Sequence, residues 1–216
     1  MDKFDRIVNK LAKMGVEGRL LEIRKFDIDN TDPLYRNNID AAYIVALNKL
    51  ASQGRYDEIT IFGNIWTYMQ LGHNVKAKLI DVLGEAGDYH VYLSSYYDNE
   101  QSPELRARIE RHMLSSIRPM WERYGPEYLD RVYLRSTNSD TVRKAVIDLF
   151  IANGYTKPVR ELLAPDKYTA KVSDELREYA QRMLSRLHES IAIDTAKFSG
   201  KGVHETRKEC RERRKQ

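Results

Sequence analysis

The residues of this sequence whose types suit catalysis or metal binding are few and scattered. The five histidines are His73, His90, His112, His188 and His204. No two stand in His-x-x-x-His or His-x-His spacing, which would aim two imidazoles at one ion. His188 and His204 are each followed by a glutamate, Glu189 and Glu205. Cys210 lies among Arg207, Lys208, Arg211, Arg213 and Arg214. Such cations lower a thiol pKa, but no histidine adjoins Cys210 to serve as its base, so surface oxidation is the chemistry it offers. One cysteine also excludes an internal disulfide framework and a cysteine-based zinc site. Gly84-Glu85-Ala86-Gly87 lacks the lysine–serine pair of a phosphate-binding loop and reads as a turn between helices. No Gly-x-Ser-x-Gly elbow occurs. The expectation is a protein with no catalytic residue, no cofactor and no metal.

Two aromatic groupings stand out instead. Tyr89, Tyr92 and Tyr96 fall on one helical face, with Tyr97 beside them. Trp121, Tyr124 and Tyr128 form a second group, bracketed by Arg118, Arg123, Arg131 and Arg135. Tyrosine with arginine suits a protein interface or stacking on nucleobases. Packing inside the protein, with the hydroxyl left wet, explains the same pattern.

The elements that position these residues are helical. The chain has 216 residues, of which 42% are hydrophobic and 31% charged, with a mean hydropathy of −0.62. No apolar run approaches the ~18 residues of a membrane span, and the start, Met-Asp-Lys-Phe-Asp-Arg, lacks the apolar core of a secretory signal. A protein without membrane insertion, located in the cytoplasm, is expected. The net charge of +4 comes from 36 Lys+Arg against 32 Asp+Glu. Residues 201–216 hold seven basic and three acidic residues and so carry all of it, leaving residues 1–200 neutral. This last stretch has no large apolar residue after Glu205 and is expected to be a disordered or frayed basic tail. Arg207, Lys208, Arg211, Arg213, Arg214 and Lys215 are its candidates for electrostatic contact with nucleic acid or an acidic partner.

Apolar residues recur at helical spacing along the body, without strand-like alternation. Five helix openings share the order apolar, basic, x, x, apolar: Tyr35-Arg36…Ile39, Val75-Lys76…Leu79, Leu105-Arg106…Ile109, Val142-Arg143…Val146 and Leu176-Arg177…Ala180. Four residues further on each has another apolar residue: Tyr43, Leu83, Met113, Phe150 and Leu184. Shorter amphipathic segments lie between them, Tyr56–Leu71, Tyr89–Asp98, Pro126–Arg135 and Lys157–Leu163. Asp32-Pro33, Ser102-Pro103 and Gly125-Pro126 read as helix starts, with Asp140 and Ser173 as further caps. Gly15, Gly54, Gly72, Gly87 and Gly154 read as helix stops. The unit is thus two helices and a turn, repeating every ~30–40 residues.

At these residues the chain resembles the HEAT-like α-helical repeat proteins, over about Asp32 to Ile191. The resemblance implies an all-α superhelix, or α-solenoid, of antiparallel helix pairs. It implies one domain over 1–200, with capping helices in 1–31 and about five units in 32–191. In this family the second helices line a concave binding face. Lys76, Arg106, Arg108, Arg143, Lys144 and Arg177, with Lys78, become solvent-facing candidates for partner contact. The function implied is a non-catalytic adaptor or scaffold for a protein partner. Two rarer activities of helical-repeat proteins fit less well. Di-iron hydroxylases need four His-Glu pairs, and only two occur. Alkylbase DNA glycosylases hold the lesion against tryptophans beside an aspartate and a basic face. Here that leaves Trp66 or Trp121, with Asp130 and Arg131, in a neutral body.

Overall fold

Burial explains why these five openings fold as helices. In the computed structural model all fifteen apolar positions of the repeated pattern are buried, from Tyr35 to Leu184. Each opening therefore lays one stripe against its neighbours, which is where most helical stability comes from. The structure describes residues 2–30, 32–164 and 172–198, without the side chains of 191–198. All its regular secondary structure is helical: α1 (Lys3–Glu17), α2 (Leu20–Asp29), α3 (Arg36–Ser52), α4 (Tyr56–Phe62), α5 (Ile65–Gln70), α6 (His73–Ala86), α7 (His90–Asn99), α8 (Pro103–Tyr124), α9 (Pro126–Leu129), α10 (Asp140–Ala152), α11 (Lys157–Leu163) and α12 (Asp174–Phe198), with a 3₁₀ turn at Pro33–Tyr35 and a π-turn at Asp130–Leu134. No helix among the described residues is long and apolar enough to cross a membrane. The chain divides into two compact units, Met1–Arg118 and Pro119–Gln216.

In the first unit α1 packs on α3, α3 on α6, and α2 on α4. α6 meets α8 where Gly84 leaves room for the His112 ring: a Cβ at Gly84 would stand 2.3 Å from His112 Cγ. In the second unit α10 and α11 both pack on α12. The caps follow the sequence in most places. The Asp32 carboxylate accepts Leu34 N–H at 2.9 Å, and the Ser173 hydroxyl accepts Leu176 N–H at 3.1 Å. Gly54, Gly87 and Gly154 end helices with φ of 70°, 79° and 72°, a conformation that costs residues with a side chain.

Several boundaries differ from the sequence reading. The first helix runs past Gly15 and stops at Gly18, in the left-handed region. Gly15 instead lets α1 approach α3, since a Cβ there would lie 3.0 Å from the Ala42 carbonyl. Gly72 opens α6 rather than closing α5. Ser139, not Asp140, caps α10, its hydroxyl accepting from Val142 N–H. The segment Tyr56–Leu71 is two helices. The break at Gly63 lets the Tyr96 hydroxyl donate to the Gly63 carbonyl, and Asn64 then caps α5 through Thr67 N–H.

Candidate functional site

The basic residues of the first four helix openings are each held by an acid or a ring, which decides what they can do. Arg36 donates to Asp27 at 2.9 Å and to Asp40. Lys76 pairs with Glu100 at 3.2 Å and lies over the Tyr68 ring. Arg106 is exposed and stacks over Tyr97. Arg143 is only 1% exposed, 3.7 Å from Asp140. The Nε of Arg177 is buried without a hydrogen-bond partner. One or two residues further on, Arg108 grips Asp81 with two hydrogen bonds, at 2.7 and 2.6 Å, and Lys144 pairs with Glu175 on α12.

Arg143 corrects the sequence expectation. It does not face solvent, because the opening turn of α10 is covered and its neighbours Thr137 and Ser139 are fully buried. A buried guanidinium must be balanced by nearby polar groups, so Arg143 belongs to the interior. Of the other cations named as partner contacts, Arg106 is exposed and Lys76, Lys78, Arg108, Lys144 and Arg177 are half-buried. Lys76, Arg108 and Lys144 are tied across helices. The tail candidates Arg207, Lys208, Arg211, Arg213, Arg214 and Lys215, with His204 and Cys210, lie outside the described residues.

Two polar clusters link the helices of the first unit. The Tyr68 hydroxyl donates to Glu100 at 2.6 Å, and the other Glu100 oxygen accepts Gln101 and Ser102 N–H, each at 2.9 Å. Burial would raise the Glu100 pKa, but Tyr68, the Ser102 amide and Lys76 together hold it below the usual glutamate range. Tyr68 stacks on Tyr96 with centroids 3.9 Å apart. In the second cluster His112 Nε2 sits 3.1 Å from Asp81. Burial opposes ionisation of Asp81, yet Arg108 and His112 keep its pKa below normal. His90 is buried, with its pKa pushed down by that burial.

The histidines do not converge on an ion: among the described residues no three His, Cys, Asp or Glu side chains are grouped to hold a metal. Trp121 packs against Phe150 and Tyr155, at 5.7 and 6.4 Å, and Asp130 accepts from Arg135 at 2.8 Å. The Tyr124 and Tyr128 rings meet at a tilt of 38° with centroids 4.8 Å apart, with Arg123 over one ring and Arg131 over the other. Gly125, at φ 79°, and Pro126 make the turn that brings these rings together.

Sequence reasoning missed the surface of the first unit. Among the described residues, the large apolar side chains left exposed are Val16, Leu21, Ile28, Leu34, Val45, Ile61, Trp66, Met69, Val91, Leu114 and Tyr124. All but Tyr124 belong to the first unit. Trp66 is 79% exposed, Leu21 and Ile61 each 62% and Val91 60%. Leu21 and Ile61 line one open hollow of about 250 Å³ between α2 and α4. Its rim cations are matched by acids: Arg19 by Glu17 and Glu22, Arg55 by Glu58. The one signal in the sequence is that Trp66 falls outside the repeated apolar pattern. No protein-family model matches this chain, and comparison with curated proteins and with solved structures finds none similar to it.

Proposed function

We propose that this chain is a HEAT-like helical-repeat adaptor that binds a protein partner without catalysis. Support for the repeat comes from polar links between alternate helices in both units: Asp81 of α6 with Arg108 and His112 of α8, and Lys144 and Asp148 of α10 with Glu175 and Tyr179 of α12. Contacts between corresponding helices of neighbouring pairs are what stacking of similar units into a solenoid produces. The docking surface is the set of exposed apolar residues on α2, α4, α5 and α7, and not the cations of the long helices.

The exposure of Trp66 carries this reading. A tryptophan is normally well covered in a monomer, and it is among the side chains that dominate interface energies. Ile61 and Val91, on neighbouring helices of the same unit, add apolar area.

Photo-crosslinking tests it. A benzophenone side chain is placed at Trp66, at Ile61 and, as control, at exposed Arg160 in the second unit. A nuclease-resistant protein adduct at 66 and 61, absent at 160, is expected. Capture that is nuclease-sensitive and vanishes when residues 201–216 are deleted would overturn the proposal in favour of nucleic-acid binding through the basic tail.

A further inference from the structure

The exposed side of α1 carries a row of cations. Lys3, Arg6, Lys10 and Lys13 follow one another at intervals of three, four and three residues, and all four are exposed. That spacing sets them in line along one flank of the helix, while Leu11 and Met14 are buried. Among the described residues the side chains of Lys3, Arg6 and Lys10 have no acidic partner, and Lys13 reaches Glu17 only at 3.9 Å. By contrast Arg24, Arg36, Arg55, Lys76 and Arg108 of the same unit each hold an acid at 3.4 Å or less.

The row is short and closed at both ends. From Lys3 to Lys13 it is about 15 Å long. Asp2 precedes it, its carboxylate accepting Asp5 N–H at 2.8 Å. Beyond Lys13, Glu17 and Glu22 share one guanidinium, that of Arg19. Residues 1–118 hold 16 basic and 17 acidic residues, so the row is a local feature of a nearly neutral unit. Val16 follows one turn after Lys13 and is 64% exposed. Val45 of α3 is exposed too, and its Cβ lies 3.4 Å from where a Cβ on Gly15 would stand. The row of cations thus runs into an apolar spot where α1 crosses α3.

We infer that α1, with Val45, is a second docking surface, which takes an acidic helix of a protein partner. Carboxylates spaced three and four residues apart on that helix repeat at the interval of the row, so each meets a cation. An apolar residue past the last carboxylate seats on Val16 and Val45. Exposed charge pairs of this kind fix the orientation and speed of docking more than its strength. A nucleic-acid backbone matches the surface less well. Its phosphates continue past the ends of the row onto Asp2, Glu17 and Glu22, and they gain nothing from the two valines. The surface shares no residue with the one around Trp66. It goes beyond that proposal by supplying the second binding place through which an adaptor joins two proteins.

The probe is a labelled helical peptide of about 20 residues, with glutamates at three- and four-residue intervals on one side and a leucine beyond them. Its twin carries glutamine at those positions. A carbodiimide joins lysine amines to carboxylates in contact with them, and peptide mapping of the full chain locates the bonds. Bonds at Lys3, Lys10 and Lys13 are expected, with exposed Lys25 and Lys157 unmodified. Fluorescence anisotropy at low salt should give a dissociation constant on the order of 10–100 μM. Arg6→Glu with Lys10→Glu should weaken binding about tenfold or more. Lys25→Glu with Lys157→Glu, which changes the net charge equally, should weaken it less than about twofold. Both variants should melt as the native chain does, since exposed charges contribute little to stability.

Bonds confined to Lys201, Lys208 and Lys215, equal weakening by the two charge reversals, or equal binding of the glutamine twin would overturn the inference. So would tighter binding of a DNA duplex of about 20 base pairs that is lost with Arg6→Glu and Lys10→Glu, which would assign the row to nucleic acid. The carbodiimide map is read on the native chain and decides the matter even where a variant fails to fold. Binding at α1 and crosslinking at Trp66 succeed or fail separately.

Discussion

The Tyr68 hydroxyl donates to the Glu100 carboxylate at 2.6 Å across 32 residues of sequence, tying α5 to the loop before α8. Glu100 is 4% exposed as a side chain and holds Lys76 as well. Removing one member of such a group leaves the others desolvated and unpaired. Glu100→Ala should destabilise the first unit by about 3–5 kcal/mol, and Tyr68→Phe by about 1.5–3 kcal/mol, measured by chemical denaturation.

The same pair gives a pH dependence of known sign. The Glu100 pKa is held below its ordinary value in the folded protein, so the folded state prefers it ionised. The stability it contributes is present above the ordinary glutamate pKa and is lost as pH falls through the depressed one. Melting temperature should therefore fall more steeply from about pH 6 to about pH 3 in the native sequence than in Glu100→Gln. Parallel slopes would mean that Glu100 has no such preference.

Gly84 is set by contact with His112 and not by a turn. Gly84→Ala should cost about 1–3 kcal/mol, because the new methyl overlaps a ring held by Asp81. In a His112→Ala background the same change should cost little. A double-mutant cycle reads the difference.

Charge reversal separates interior from surface cations. Arg143→Glu should destabilise the second unit by about 3–5 kcal/mol, since Arg143 is buried. Arg106→Glu loses only an exposed contact with Tyr97, of about 0.5–1 kcal/mol. Thermal melts of both variants distinguish these outcomes.

Truncation checks the core register in both units. Leu83→Ala and Phe150→Ala should each cost about 2–5 kcal/mol, as both side chains are fully buried. Unchanged melting temperatures in both would refute the shared pattern.

Burial of the repeated positions was legible because helical periodicity is a property of one segment at a time. Leu79, Leu83, Ile109, Met113, Val146, Phe150 and Leu184 all lie in the core for that reason. What depended on a second segment was not legible. Arg143 looks like Arg106 in sequence, and only the covering of the opening turn of α10 distinguishes them. The three tyrosines assigned to one face separate in the same way: Tyr96 is drawn inward onto Tyr68, while Tyr89 meets Tyr56, 33 positions earlier. Gly63 reads as neutral until the Tyr96 hydroxyl is seen on its carbonyl. The exposed apolar face escaped for the opposite reason: exposure leaves no periodic mark.

The two tryptophans fall one to each unit and in contrasting surroundings, Trp66 in solvent and Trp121 against Phe150 and Tyr155. Each unit thus contains its own optical reporter. With Trp66→Phe, the remaining emission should start blue and move red as the second unit unfolds. With Trp121→Phe, it should start red and stay there through unfolding of the first unit, turning blue when a partner covers Trp66. The same pair of single-tryptophan proteins would show whether the two units melt together or in sequence.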